Sequence, residues 1–200
     1  MTYVIEAAHP DDAAWLGPLQ LRTWLQTYPN AELGIDENWI REQRGSSATA
    51  EGIAHWREFI EAASRQPDRL FCRVVRSEAG IVGFLCGRKD KAVTLGPMYL
   101  LNHAQRQGLG GRLMTEFLTW AGPTRICLWV TAYNGSAVRF YQRHGFKLTG
   151  ERELWRGTLP NLRMIREVTS SVDLGQGGFE ILIKAVERSR EGRGDLTDEQ

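Results

Sequence analysis

The sequence of 200 residues has few cysteines, almost no net charge and no long apolar run. Its three cysteines are odd in number and lack the spacing of metal ligands, so we expect neither a disulfide framework nor a metal site. Cys72, Cys86 and Cys127 each lie inside an apolar run, and we interpret them as small buried residues in a reducing compartment. A formal net charge of +1 gives no basic field for nucleic acid, so no nucleic-acid partner is expected.

Membrane segments are also missing from the sequence. No apolar run approaches the roughly 20 residues that a membrane span needs, and the N-terminus lacks a basic stretch followed by an apolar one. We therefore expect a cytoplasmic protein without membrane contact. With 42% hydrophobic and 24% charged residues, the chain is typical of a globular protein that buries its core as one domain.

Hydrophobic spacing predicts the elements of the first third of the chain. A short strand is expected at residues 4–6, followed by a helix that Asp11 or Asp12 caps. We interpret residues 28–51 as irregular and polar. Apolar residues then recur at three-and-four spacing over residues 53–63, which predicts a helix with one buried side.

Three strand-like runs follow, at residues 70–75, 81–86 and 92–101. A turn that ends at Gly80 joins the first two as a hairpin. The third run carries Pro97, which has no N–H to donate to a strand ladder. Its strand is therefore at an edge or broken by a bulge, and we favour the bulge.

The first of two informative motifs is the loop at residues 105–112, which reads QRQGLGGR. It leads into an amphipathic helix predicted at about 110–121, so its glycines offer bare backbone N–H groups at a helix N-terminus. That arrangement suits a pyrophosphate, to which Arg106 and Arg112 would add positive charge. Taken alone, the loop is more simply a glycine-rich turn that starts a helix. A nucleotide-binding loop is disfavoured because no Lys-Ser/Thr pair follows the glycines.

The second motif, residues 134–146, reads NGSAVRFYQRHGF and follows an apolar run at 126–130. We expect that run to be a fully buried strand. A short helix is predicted over residues 136–144, with Gly145 as its left-handed cap. The last strand pair is expected at residues 146–148 and 163–165.

Together and in this order, the two motifs resemble the signature of the GNAT superfamily of N-acetyltransferases. That signature reads Gln/Arg-x-x-Gly-x-Gly/Ala in the first motif and Asn-x-x-Ala-x-x-Phe-Tyr-x-x-x-Gly-Phe in the second. The resemblance covers residues 1–168 and is most specific over 92–146. It implies an α/β domain of the GNAT fold: a mixed twisted β-sheet, splayed at the cofactor site and flanked by helices.

The resemblance also implies an activity. Such a protein is an acyltransferase that moves an acetyl group from acetyl-CoA directly to an amine, without a covalent enzyme intermediate. The acceptor, a small molecule or a protein, is not fixed by the sequence. A catalytically silent acetyl-CoA-binding or assembly module is the alternative. By the motif positions, acetyl-CoA would be bound by Met98, Tyr99, Leu100, Gln105, Arg106, Gln107, Gly108, Leu109, Gly110, Gly111, Arg112, Asn134 and Tyr141.

The resemblance gives individual roles to three of these residues. The Met98 N–H would face the thioester carbonyl, and the Asn134 amide would bond the pantetheine arm. Tyr141 would be the general acid that returns a proton to the departing thiolate. Each position also has a plain structural interpretation: Asn134 could be a helix cap, and Tyr141 a half-buried aromatic residue.

The general base is not apparent in the sequence. Thr94 occupies the strand position at which several relatives place a glutamate, and a threonine cannot remove a proton at neutral pH. Proton removal is left open among a water chain, an acceptor amine that is already partly neutral, and the side chains of Tyr28, Asp36 and Asp90.

Residues 169–200 lie outside the family pattern. A glycine-rich joint precedes an amphipathic helix predicted at about 178–190, and a polar tail follows. A helix of that length is not stable alone in water, so its apolar stripe should dock on its own domain or, in a homodimer, on its neighbour. The stripe consists of Phe179, Leu182, Ile183 and Val186.

Overall fold

The computed structural model describes residues 2–168, which form a seven-stranded mixed sheet with helices on both faces. The strands are β1 (Val4–Ala7), β2 (Leu70–Ser77), β3 (Gly80–Lys89), β4 (Val93–Leu100), β5 (Ile126–Thr131), β6 (Lys147–Trp155) and β7 (Leu159–Arg166). The α-helices are α1 (Ala13–Thr27), α2 (Glu37–Arg44), α3 (Ala50–Arg65), α4 (Leu109–Ala121) and α5 (Gly135–Arg143). The helix predicted at about 178–190 and its docking lie outside the described residues.

The sheet order is β1-β2-β3-β4-β5-β7-β6, and every neighbouring pair is antiparallel except β4 and β5. The parallel pair at the centre is reached by a crossover through α4, as a parallel connection requires. The mixed sheet flanked by helices confirms the predicted fold class. None of the helices in the described range is long and apolar enough to cross a membrane.

The two faces of the sheet carry different helices because side chains alternate along each strand. On one face, the ring of Phe84 packs 5.2 Å from the ring of Trp56 in α3. On the other face, Gly87 leaves room for Phe117 and Trp120 of α4, and a Cβ at Gly87 would collide with Phe117. A second, smaller core around Trp24, Ile35, Ile40 and Leu159 lies beside the main one.

The hairpin and the bulge predicted in the central strands are confirmed. Ser77 pairs with Gly80 across a two-residue turn. Between β3 and β4, Leu85 pairs with Met98 but Gly87 pairs with Leu95, so β4 has one more residue than β3 at this point. The extra residue falls at Gly96-Pro97, where the missing proline N–H prevents a regular ladder.

Two predictions for the N-terminal third are wrong. Residues 28–51 are not irregular, because α2 lies within them. Its N-cap is Asp36, whose carboxylate accepts a hydrogen bond from the Trp39 N–H at 2.8 Å. The helix was not evident from spacing since Ile40 is its one buried residue. Asp12 precedes α1 but its side chain does not cap it; the carboxylate instead accepts hydrogen bonds from the His9 N–H and the Arg76 guanidinium.

Burial of β5 also differs from expectation. Trp129 is 41% exposed, and Cys127 is only partly buried. An apolar run alone therefore did not show that one face of this strand is open to solvent. The cap of α5 is as predicted: Gly145 has a φ of +84°, and the next N–H, from Phe146, donates to the Tyr141 carbonyl at 3.1 Å.

Candidate active site

The centre of the sheet is open between β4 and β5. The two strands pair only at Val93 with Ile126 and at Thr94 with Cys127. Beyond the bulge, β4 continues to Leu100 alongside β3, and no strand within residues 2–168 pairs with its other side. The predicted splaying of the sheet is thus present, and it leaves one edge of β4 available.

Hydrogen-bond alternation determines which residues face this gap. The Leu101 N–H donates to the Val82 carbonyl of β3 at 2.8 Å. In an antiparallel pair, successive residues point alternately toward and away from the partner. Tyr99 therefore also bonds to β3, whereas Met98 and Leu100 direct their N–H and C=O groups into the gap.

The side-chain contacts of Tyr99 also distinguish it from Met98 and Leu100. Its phenol oxygen accepts a hydrogen bond from the Trp24 indole N–H at 2.8 Å, and its ring packs 5.6 Å from the ring of Phe84. Its backbone is therefore directed to β3, and its side chain packs on the face of the sheet that carries Trp24 and Phe84. Of the three predicted edge residues, the structure brings only Met98 and Leu100 to the gap.

The glycine-rich loop ends in an exposed helix N-terminus. Gly108 is the N-cap of α4, with a φ of +76°, and has no side chain to cap the helix. The first intrahelical donor is Arg112, whose N–H bonds to the Gly108 carbonyl at 3.1 Å. The N–H groups of Leu109, Gly110 and Gly111 consequently have no partner within the helix. The Leu109 side chain itself is buried in the core.

Two glutamine side chains hold the loop in shape. The Gln105 side-chain amide donates to the Leu100 carbonyl at 2.9 Å, and that of Gln107 donates to the His103 carbonyl at 2.7 Å. Arg106 and Arg112 are exposed, and neither takes part in an ion pair among residues 2–168. Bare amides and two unpaired cations therefore face solvent at one place, which suits an anion.

Asn134 caps α5 in the structure. Its amide oxygen accepts hydrogen bonds from the Ala137 N–H at 3.1 Å and from the Ser136 hydroxyl at 2.9 Å. Its amide NH₂ makes no hydrogen bond within the described residues. A ligand could therefore be bound by that NH₂ group while the cap stays intact.

Tyr141 is buried on α5 next to the rings of Phe140 and Phe146. Burial raises the pKa of its phenol well above the ordinary value, and the nearby Tyr99 phenol adds to the effect. Burial acts in this direction because it disfavours the charged phenolate. Tyr141 is therefore protonated at neutral pH, as a proton donor must be.

Each of the three side chains left open as a general base has a feature that opposes this role. Burial raises the pKa of Tyr28, which weakens it as a resting base. Asp36 caps α2, and Asp90 forms an ion pair with Arg69 at 3.2 Å. Thr94 lies at the last β4–β5 pair, with its hydroxyl 3.6 Å from the Cys127 sulfur.

A cavity of about 490 Å³ lies on the α3 face of the sheet and reaches the bulge of β4. It is lined by Gln43, Arg44, Ser46, Ser47, Glu51, Gly52, His55, Trp56, Phe59, Cys86 and Pro97. None of Tyr28, Asp36 and Asp90 is among them. The titratable groups of the lining are Arg44, Glu51, His55 and Cys86, and burial raises the pKa of the Cys86 thiol.

Sequence reasoning missed Arg44, Glu51 and His55. A signal was present on α3, where Glu51, His55 and Phe59 recur every four residues and so share one side of the helix. This row was not distinguished from a solvated face, because the bulge that completes the cavity lies far away in sequence.

Comparisons with known proteins agree with this geometry. Residues 68–148 match the family model of the acetyltransferase (GNAT) domain. A probable N-acetyltransferase of Mycobacterium tuberculosis is 25% identical over 163 residues, which are 76% of this chain and 84% of that protein.

Two solved structures share the fold. The PaiA N-acetyltransferase of Thermoplasma acidophilum, solved with coenzyme A, is 19% identical with a TM-score of 0.61, covering 84% of this chain and 99% of that one. YncA of Salmonella typhimurium, a putative acetyltransferase solved with acetyl-CoA, is 15% identical with a TM-score of 0.63, covering 86% of this chain and 97% of that one.

The splayed sheet, the exposed helix N-terminus and the matched domain define an acyltransferase. The chain is thus similar to the GNAT acetyltransferases, most directly over residues 68–148.

Proposed function

We propose that the protein transfers an acetyl group from acetyl-CoA to a primary amine on a small molecule. The observation that carries the proposal is the gap between β4 and β5, which opens next to the bare N-terminus of α4. A strand edge suits the amides of a pantetheine arm, and the helix N-terminus suits a pyrophosphate. The cavity volume of about 490 Å³ is in the range of small-molecule sites and supports a small acceptor.

Acetyl-CoA fits the residues that border the gap. The amides of Leu109, Gly110 and Gly111 would hold its pyrophosphate, with charge added by Arg106 and Arg112. The Asn134 NH₂ and the backbone of Leu100 would bond the pantetheine arm. Acetyl-CoA supplies an acetyl group activated as a thioester, and the protein's own residues orient that group and move protons.

Two residues would act on the reacting atoms. The Met98 N–H faces the gap and would stabilise negative charge that develops on the acetyl oxygen. Tyr141, kept protonated by burial, would donate a proton to the thiolate as it departs. Direct transfer to the amine then needs no nucleophile from the protein.

The acceptor amine must lose a proton, and the cavity lining offers a group for this step. His55 lines the same cavity as Pro97 of the bulge and is exposed, so it could pass a proton on to solvent. An imidazole is suited to accepting a proton near neutral pH. We propose His55 as the general base, in the role that Thr94 cannot perform.

An acetylation assay on a panel of amines tests the proposed function. The panel contains amino acids, polyamines, aminoglycosides and an N-terminal peptide, and free CoA thiol is measured as it is released. We expect acetyl-CoA-dependent turnover of at least one small amine, in preference to the peptide. A folded protein that binds acetyl-CoA but acetylates none of them would contradict the proposal.

A further inference from the structure

Arg44 packs against two tryptophan rings and has no anionic partner among the residues that the structure describes. The carbon atom at the centre of its guanidinium is 4.3 Å from the ring centroid of Trp24 and 4.5 Å from that of Trp155. Its Nε atom is buried and makes no hydrogen bond within the described residues. None of the ion pairs among residues 2–168 includes Arg44.

Other arginines of the protein form ion pairs with carboxylates. Arg41, one turn earlier on α2, pairs with Glu37 at 3.6 Å, and Arg76 pairs with both Glu6 and Asp12. The charged or titratable groups near Arg44 are instead the phenols of Tyr28 and Tyr99 and a second cation, Arg156.

This environment opposes the charge of Arg44 without removing it. Burial lowers the pKa of the guanidinium, but an arginine remains protonated at physiological pH. Arg44 is half-buried, and its Nε atom is fully buried. A cation partly removed from water without a counter-ion costs free energy, and an anion placed against it would offset that cost. The centroids of the two tryptophan rings are only 5.4 Å apart, so both rings lie to one side of the guanidinium and leave its other side for an anion.

The position of Arg44 relates this unpaired charge to the reaction. Arg44 lines the same cavity as Pro97, which belongs to the bulge of β4, beside the backbone of Met98. Glu51, the carboxylate of that lining, is not paired with Arg44. An acceptor that occupies the cavity can therefore approach the bulge with its amine and Arg44 with another group.

We propose that Arg44 binds a carboxylate of the acceptor, so that the substrates are small amines that carry a carboxylate, as amino acids do. The inference rests on the proposed acetyl transfer and specifies its substrate class. The planar guanidinium fork matches the two oxygens of a carboxylate, which makes an arginine more selective here than a lysine.

The test compares each acid with its amide. Phenylalanine and phenylalaninamide, and leucine and leucinamide, are assayed as acceptors of the wild-type protein and of Arg44→Met. Methionine is chosen because its flexible, unbranched side chain can still pack against the tryptophans. The amine of an amino-acid amide is less basic than that of the amino acid, and this difference is the same for every variant. The measured quantity is therefore the ratio of kcat/KM for the acid to kcat/KM for the amide, compared between the variants.

We expect Arg44→Met to lower that ratio by about 10- to 100-fold, the loss of a charge-assisted hydrogen bond. The change should appear in KM for the acid rather than in kcat, because the carboxylate does not react. Arg44→Lys should retain part of the preference, since it keeps the charge. Arg41→Met on the same helix should not alter the ratio, and acetyl-CoA affinity and melting temperature should stay similar throughout.

An unchanged acid-to-amide ratio in folded Arg44→Met would overturn the inference and leave the acetyl transfer in place. Phosphoethanolamine and ethanolamine are a further pair of acceptors. If Arg44→Met affects only this pair, the group that Arg44 binds is a phosphate, and the inference of a carboxylate is overturned.

If no amine is turned over, the proposed function fails, and a binding measurement tests the role of Arg44 instead. Calorimetry on the CoA-loaded protein then compares N-acetylphenylalanine with its amide. A preference for the acid that Arg44→Met abolishes supports the inference, and equal binding overturns it.

Discussion

The backbone of Ser47 passes so close to Gly17 of α1 that a Cβ at Gly17 would overlap the Ser47 carbonyl oxygen. Gly52 of α3 makes a similarly close approach to Ser46. The Ser47 hydroxyl lies 2.7 Å from the Arg44 carbonyl, to which it donates a hydrogen bond. Two helices thus hold one short segment, and that segment forms part of the cavity wall.

Gly17→Ala should destabilise the protein although alanine is the better helix former. The added methyl overlaps backbone that cannot rotate away, and overpacking of this kind costs about 1–3 kcal/mol in the free energy of unfolding. Gly45→Ala is the matched control. Its Cβ would meet nothing within 4 Å, so the substitution should be neutral or stabilise by about 0.4–1 kcal/mol. Urea unfolding measures both, and equal stabilities would show that the segment can move aside.

Gly110→Asp should weaken acetyl-CoA binding without loss of stability. A Cβ at Gly110 has ordinary contacts, 3.4 Å to Phe140 and 3.6 Å to Leu100, and an acidic residue in the first turn favours the helix dipole. The carboxylate would however repel the pyrophosphate. Calorimetry with acetyl-CoA is the measurement, and Gly110→Ala, which adds no charge, should bind nearly as well as the wild type. Undiminished affinity in Gly110→Asp would remove this loop from the cofactor site.

Tyr141→Phe should reduce kcat while acetyl-CoA affinity changes little. The substitution removes a proton donor that acts only as the thiolate departs, and general acid catalysis typically contributes about 10²- to 10⁴-fold. Steady-state rates with saturating acetyl-CoA measure the effect. A loss below about tenfold would mean that another group protonates the thiolate.

His55→Gln should lower kcat/KM for the acceptor, because a glutamine side chain cannot take the proton that the attacking amine must lose. The comparison is Glu51→Gln, one turn away on α3 and in the same cavity lining. If Glu51→Gln lowers kcat/KM and His55→Gln does not, the carboxylate is the base and the assignment is wrong.

Stability should fall at alkaline pH. Burial raises the pKa of Tyr28 and Tyr141, so above the unfolded value of about 10 the native state keeps protons that the unfolded chain has lost. The unfolded state then binds fewer protons, and the free energy of unfolding decreases by about 1.4 kcal/mol per pH unit for each tyrosine. Urea unfolding at several values above about pH 9 gives the slope. A double Phe variant at these positions should show a shallower decline, and an identical slope would contradict the prediction.

The sequence predicted well those elements whose signals are local. The hairpin at Gly80, the bulge at Pro97 and the cap at Gly145 each follow from what one residue's backbone can or cannot do. The gap in the sheet was inferred from the resemblance together with the same proline. These features needed no knowledge of distant contacts.

The acceptor side could not be predicted because its parts meet only in three dimensions. Arg44 has the appearance of a surface arginine on a charged helix until Trp24 and Trp155, far apart in sequence, come together beside it. The direction of Tyr99 was equally hidden, since it depends on the register with β3 and on the Trp24 hydrogen bond. Local patterns do not contain either fact.

The two residue pairs between β4 and β5 have a consequence for cooperativity. At its centre the backbone ladder is nearly interrupted, so strands β1–β4 and strands β5–β7 exchange few hydrogen bonds with each other. A ligand in the gap would bond to both sides and act as the missing strand. The amide protons of Met98 and Leu100 should then exchange with solvent quickly in the free protein and slowly in the complex. Their protection would report directly how far the substrate completes the sheet.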